Sequence, residues 1–359
     1  MNSYKNLPKS DEERAASVHE RSIIIDTHCD TIIHLTPRPP VSVYLSHYFE
    51  LPRKYTAADI GTSFNYPGNR GLGERGDNLS VDFVKMAEGG QTCQVFSMWM
   101  EPEYKPERCV LRTLQMVDTF QGELRKNRDK ASLATTAKDI LRAKKNGRIA
   151  AMLSVESGGD AIQGDLGVLR VLYSLGLRMF GLTYNRRNLL ADGNAENRTK
   201  SGLTELGVQT IEECNRLGIV VDVSHIGDTG FYDVLEVTKS PIVASHHGLR
   251  ALHDTPRFMT DDQAKALAEN GGVIGVMYGV GPTTLEGVVD HIDHVVDVAG
   301  IDFVGLGSDW DGGCRPEGLE DSSKLLNMTK ELVARGYSDD EIEKILGGNF
   351  LRVFKKILR

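Results

Sequence analysis

Eight short apolar runs punctuate the chain: Ile23–Asp26, Cys93–Trp99, Ile149–Val155, Met179–Thr183, Ile219–Ser224, Ile242–Ser245, Val273–Met277 and Val304–Gly307. Each is nearly continuous in apolar residues and shorter than a typical buried helix. That is the pattern of strands covered on both faces. Stretches of helical periodicity fall between them. Leu203–Leu217 puts Leu206, Val208, Ile211 and Leu217 on one stripe, and Thr229–Thr238, Thr260–Glu269 and Thr284–Ala299 also read as helices. Gly218, Gly271-Gly272 and Gly300 stand where helices should stop. Alternating strands and helices imply parallel β-structure. Eight repeats predict an α/β fold of the closed (β/α)8 type, a TIM barrel, as a single domain over residues 1–359. An open doubly wound sheet is the alternative.

One stretch breaks the rhythm. About 65 residues separate the first two runs, too many for an ordinary loop. Residues 37–76 mix Pro, Gly and Tyr without a clean period. They read as an insertion at the catalytic end of the barrel, either a lid that shapes the substrate site or a surface elaboration. At the other end, Ser338–Arg359 predicts one or two closing helices. No internal repeat or linker interrupts the chain.

Composition narrows the partners. A net charge of -8 argues against nucleic acid, whose phosphates need a basic surface. No run reaches the roughly 18 apolar residues of a membrane span, so no membrane partner is expected. Met1–Ser22 is polar and charged, without a signal-type apolar core, and the expected location is the cytoplasm. The five cysteines, Cys29, Cys93, Cys109, Cys214 and Cys314, are odd in number, scattered and free of C-x-x-C, as expected of reduced thiols.

The chemistry sits where the apolar runs end. His28 and Asp30 follow the first, Glu156 the third, Tyr184 the fourth, His225 the fifth, His246 and His247 the sixth, and Asp309 the last. Barrels of this type draw their catalytic groups from the C-terminal ends of several strands. Imidazoles and carboxylates without a thiolate pair suit zinc or a similar divalent ion. The set exceeds the needs of one ion. Two ions about 3.5–4 Å apart, sharing Glu156, use it better.

Each residue alone has a plainer explanation. A strand-end histidine is more often hydrogen-bonded than ligating, Glu156 can precede a helix, and Asp309 and Asp311 can stabilise the turn at Gly312-Gly313. Together, at corresponding ends of different strands, they describe a site. His246 follows its strand directly and is the ligand of its pair, with His247 pointing elsewhere. Alternation along a strand puts His28 and Asp30 on one face, where they can bind the same ion, and turns Cys29 between them into packing. His19, His34, His47, His253, His291 and His294 are read as structural. Gly305-Leu306-Gly307 lacks the phosphate-binding spacing and is expected to let the strand approach the metal site.

With these residues placed, the chain resembles the membrane (renal) dipeptidase family, peptidase family M19, among the amidohydrolase-like metal barrels. The carrying stretches are Asp26-Thr27-His28-Cys29-Asp30, Ser154-Val155-Glu156-Ser157-Gly158-Gly159, Asn215 to His225, Pro241 to His246, Gly305 to Gly312 and Gly347-Gly348-Asn349-Phe350. The resemblance runs from about Ile23 to Phe354. It implies a binuclear zinc hydrolase, with two Zn2+ per chain, acting on small dipeptides and admitting a D-residue at the C-terminal position. By the same resemblance His28 and Asp30 hold one ion, His225 and His246 the other, and Glu156 bridges them. A metal-bridging hydroxide attacks the peptide bond, Asp309 shuttles the proton, and Arg257 grips the substrate carboxylate. A homodimer is the assembly to test.

The sequence departs from the family pattern in three places. Thr183-Tyr184 stands where a Thr-His is common, so Tyr184 takes the position that touches substrate and intermediate. Phe258 follows Arg257 where Asn is usual, and Phe303 follows Asp302 where His is usual. A tyrosine hydroxyl can still donate to an oxyanion. The altered substrate shell keeps an alternative open, a metal-dependent amide hydrolase acting on N-acyl amino acids or another small carboxylate. A non-catalytic metal-binding protein is the reading from another class, and the presence of Asp309 argues against it.

Overall fold

All eight apolar runs contain strands in the computed structural model, which describes residues 3–37, 71–279, 281–313 and 315–359. The strands are β1 (Ile25–Cys29), β2 (Cys93–Met98), β3 (Ala131–Leu133), β4 (Ile149–Val155), β5 (Leu177–Gly181), β6 (Val220–Asp222), β7 (Val243–His247), β8 (Val273–Val276) and β9 (Val304–Leu306). Every pairing is parallel. β1 joins β2 on one side and β9 on the other, β2 joins β4, and β4 to β9 follow in order. Eight strands therefore close on themselves. The fold is the TIM barrel, not the open sheet.

β3 is the strand the hydrophobic pattern did not predict. It pairs only with Ile149–Ala151 at the start of β4, while β5 takes the other end at Leu153–Val155. Three residues are too few to carry a period, and β3 sits outside the ring. β4 coincides with its predicted run, and the other strands differ from expectation by one to three residues at an end. Ile23 and Ile24 precede β1, and Ile24 instead packs in the core.

Three of the predicted helices begin one or two residues inside their predicted starts because a threonine caps each, while the fourth, Asp228–Val237, begins one residue before Thr229. Thr204 accepts from Gly207 N–H, Thr260 from Gln263 N–H and Thr284 from Gly287 N–H. A side-chain oxygen in that position satisfies an amide that the first helical turn leaves free. The tail forms two helices, Asp339–Glu343 and Asn349–Ile357. An N-terminal helix, Lys9–Arg21, was not predicted. It packs on Leu325–Ala334, and its buried His19 bonds Thr329 Oγ1 at 2.7 Å.

The barrel interior has a floor. Ile25, Cys93, Ala150, Met179, Val220, Val243 and Val273 pack together with Phe350, Val353 and Phe354 of the last helix. This apolar plug closes one end, so polar chemistry is confined to the other. Of the predicted insertion, residues 38–70 and with them His47 lie outside the described residues. Its end at Leu72 donates its N–H to Glu123 at 2.7 Å. Cys29, Cys93, Cys109 and Cys214 are buried free thiols, Cys29 in the core as expected. Among the described residues no helix is long and apolar enough to cross a membrane.

Candidate metal centre

A cavity of about 410 Å³ opens at the C-terminal end of the strands, lined in part by Asp30, Glu156, Tyr184, His225, Arg257 and Asp309. His28 and His246, with rings stacked 3.7 Å apart, reach its lining residues, His28 Nε2 lying 3.7 Å from Asp30 and His246 Nε2 3.4 Å from Glu156. All the predicted site residues therefore converge. They reach it by different routes. His28 and His246 lie within β1 and β7, and Glu156 directly follows β4. Asp30 is not on a strand; it stands at the N-cap position of the short helix Thr31–Leu35 without a side-chain capping bond, and its N–H bonds Trp310 O at 2.9 Å. This turn, rather than strand alternation, brings Asp30 Oδ1 within 3.7 Å of His28 Nε2.

His225 and Asp309 each follow their strand by three residues and hold left-handed backbone, at φ 65° and 61°. Ser157 beside Glu156 and Asp311 beyond Asp309 do the same, at φ 63° and 68°. Such conformations cost of order 1–3 kcal/mol each and persist where the surrounding structure enforces them. Here they turn side chains back over the barrel mouth. Gly307 serves the same end. A Cβ there would lie 1.8 Å from Ser245 O and 3.2 Å from His246 Cα, so glycine lets the chain leaving β9 lie against the backbone that carries His246.

The nitrogens of the cluster face one another without protons between them. His225 Nδ1 lies 2.7 Å from Asn185 Oδ1, an acceptor, and so carries the proton. Ser245 Oγ donates to Asp222 Oδ2 at 2.5 Å and accepts from His246 Nδ1 at 2.8 Å. Both Nε2 atoms are therefore bare lone pairs, 3.0 Å apart. Glu156 Oε1 stands 2.8 Å from the first and 3.4 Å from the second. His28 Nε2, Asp30 Oδ1 and Glu156 Oε1 are buried without a hydrogen-bond partner. Convergent lone pairs repel unless a cation lies among them. His28, Glu156 and His246 form one group of donors within reach of one ion, and His28, Asp30 and Asp309 a second.

The titration of the site says the same. Burial pulls the His28 imidazole down, but Asp30, Glu156 and Asp309 outweigh it and hold it at about 10. Burial, with the charges of Asp30 and Glu156, pushes Asp309 up to about 8. Burial likewise raises Glu156 and lowers His225 and His246 well below the usual range, keeping those imidazoles neutral. The carboxylates thus draw positive charge onto His28, as they would draw a cation, while the imidazoles of His225 and His246 are neutral and available. A nitrogen–oxygen donor set of this kind fits zinc or a similar divalent ion.

Comparison with known proteins decides the family. The model of the membrane dipeptidase family, peptidase family M19, matches residues 12–359. The chain belongs to this family. A fission-yeast protein described as an uncharacterized dipeptidase is 36% identical over 79% of this chain and 73% of its own length. Human dipeptidase 3 is 32% identical over 76% of this chain, which spans only 57% of that protein. A solved metallopeptidase from Rhodobacter sphaeroides, bound to a phosphinate mimic of L-Ala-D-Ala, superposes with a TM-score of 0.79 at 25% identity, over 94% of this chain and 99% of that one. The protein is thus a metallopeptidase-family barrel of the dipeptidase type.

Within this dipeptidase barrel, Tyr184 packs between Trp99 and His225, with ring centroids 5.1 and 4.5 Å away. Burial raises its hydroxyl above the usual range, so it stays protonated. Arg257 Nη2 donates to His246 O at 2.8 Å, while Nη1 is buried without a partner. His247 turns away, its Nδ1 accepting from Met259 N–H at 3.2 Å. His34, His291 and His294 bond Asp311 O, Leu249 N–H and Asp261, as structural residues do. Pattern reading missed Asn185, Ser245 and Asp222. Asn185 follows Tyr184 directly, and Ser245 precedes His246, but only the folded contacts reveal their use.

Proposed function

We propose that this protein is a binuclear zinc dipeptidase acting on small dipeptides, with a D-residue admitted at the C-terminal position. One observation carries the proposal: the bare Nε2 atoms of His225 and His246, 3.0 Å apart, open with Glu156 onto a cavity that also holds Arg257 and Asp309. His28 and Asp30 would hold one ion, His225 and His246 the other, and Glu156 would serve both. Zinc bound there supplies Lewis-acid polarisation of a carbonyl and acidifies water to a pKa of about 7.

The chain's own residues supply the rest. Arg257 lines the cavity with one guanidinium nitrogen anchored on His246 O and Nη1 buried without a partner, and its planar group suits a terminal carboxylate. A carboxylate held one residue from the reacting bond measures out a dipeptide. Asp309 takes a proton from the attacking water and returns it to the leaving amine, a general-base then general-acid role. Tyr184, kept protonated, donates to the carbonyl oxygen as charge builds on it. The D-residue draws support from the related metallopeptidase bound to an L-Ala-D-Ala mimic.

The test is a panel of L,L and L,D dipeptides offered to metal-loaded protein, with metal content measured on the same sample. Turnover at about two metals per chain supports the reading. Full occupancy with no dipeptide cleaved sinks it. Tyr184 in the family's histidine position favours one second reading, hydrolysis of N-acyl amino acids. Faster cleavage of N-acetyl amino acids than of dipeptides would select it.

A further inference from the structure

A second cavity, of about 510 Å³, adjoins the metal cavity. Tyr184, Asn185 and Ala195 line both, so the two share a wall. Trp99 and Pro102 give the second cavity an apolar side. Lys105, Arg186 and Arg187 stand around it, each already matched by a carboxylate. Lys105 pairs with Asp160 at 2.6 Å, Arg187 with Asp192, and Arg186 with Glu196 at 3.7 Å. Matched charge makes it a poor site for another bare anion. Aromatic walls and guanidinium planes suit a flat ring, through stacking and cation–π contact.

We propose that this cavity is the subsite for the side chain of the substrate's N-terminal residue, and that it accepts large aromatic side chains. The inference rests on the dipeptidase reading above, with Arg257 holding the carboxylate. Arg257 lines the metal cavity only and is tied to the backbone of His246. Tyr184 packs on His225, and beyond it lies Trp99. A dipeptide anchored at Arg257 crosses the metal cluster one residue later. The residue past the scissile bond is then the one next to Tyr184 and the second cavity. A cavity of this size is not needed for glycine or alanine, but it holds an indole or phenol.

The experiment measures kcat/KM of the metal-loaded full chain for Ala-Gly, Trp-Gly and Gly-Trp, in wild type and in Pro102→Trp. Pro102 is exposed and touches only the second cavity. Wild type should cleave Trp-Gly about as well as Ala-Gly or better. Pro102→Trp should lower Trp-Gly by about tenfold or more, within the range by which pocket shape discriminates, and leave the other two within about threefold. Arg186→Trp, at an exposed site on the same rim, is the second variant should the first fold poorly, with melting temperature and metal content as checks. The proposal is overturned if Ala-Gly falls in step with Trp-Gly, or if Gly-Trp is the substrate selectively lost. It is also overturned if wild type cleaves Ala-Gly but rejects Trp-Gly. Failure of the underlying dipeptidase reading has a different signature, because Ala-Gly itself would then resist fully metal-loaded enzyme.

Discussion

His225 Nε2 and His246 Nε2 face each other at 3.0 Å, and neither carries the proton a hydrogen bond between them would need. Their protons are committed on the far sides of the rings, to Asn185 Oδ1 and Ser245 Oγ. The partners thus fix each imidazole as a donor of electrons toward the cavity. Ligand orientation by such outer contacts commonly governs metal affinity by about 10–100-fold.

Asn185→Leu removes the acceptor for His225 Nδ1 and frees the ring to rotate or change tautomer. The expected outcome is metal affinity lowered by about tenfold or more, with the fold intact. Competition against a chelator, followed by metal analysis, reads it directly. Affinity equal to wild type would mean that the ring is held by packing on Tyr184 and not by Asn185.

The same contact shows where sequence reading succeeds and stops. His28, Glu156, His225, His246 and Asp309 were legible because each follows an apolar run, and the barrel gathers strand ends at one mouth. Asp30 was found for an incomplete reason, since the turn into the helix Thr31–Leu35, and not strand alternation, aims it. Asn185 and Asp222 carry no periodic signal, because their roles depend on contacts with residues 40 and 23 positions away. β3 and the N-terminal helix were missed for another cause. Three residues cannot show a period, and the helix is mostly polar with only Ala15, Val18 and His19 buried.

Asp309→Asn keeps the shape of the side chain and removes its ability to take a proton. Loss of a general base typically costs about 10²–10⁴-fold in turnover. Metal content should stay near wild type if His28, Asp30, Glu156, His225 and His246 are the holding set. Loss of metal together with activity would instead make Asp309 a ligand, a role its 3.7 Å distance from His28 Nε2 also permits.

Arg257→Lys retains the charge but gives up the planar fork. Substrates with a free C-terminal carboxylate should lose kcat/KM by about tenfold or more, while amidated counterparts, already poor, change little. Parallel assays on one dipeptide and its amide separate the outcomes. An equal drop for both would place Arg257 in support of His246 O, which its other nitrogen already contacts.

His291 gives a pH-dependent stability that is independent of the metal cluster. Burial, helped by neighbouring His294 and His253, pushes its imidazole down to about 4. Its Nδ1 accepts the Leu249 N–H at 3.2 Å, which requires the neutral ring. In the unfolded chain the imidazole titrates near its ordinary pKa of about 6.5. Between about pH 6.5 and 4 the unfolded state therefore binds a proton that the folded state does not, so stability falls as pH falls through that window. The slope from one such group is at most about 1.4 kcal/mol per pH unit. His291→Gln keeps an acceptor for Leu249 without the titration. The difference in unfolding free energy between wild type and variant, measured by denaturant at several pH values, should be constant above about pH 7 and shift against wild type below it. A difference that stays flat down to pH 4 would show that His291 gains its proton in the folded protein as readily as in the unfolded chain.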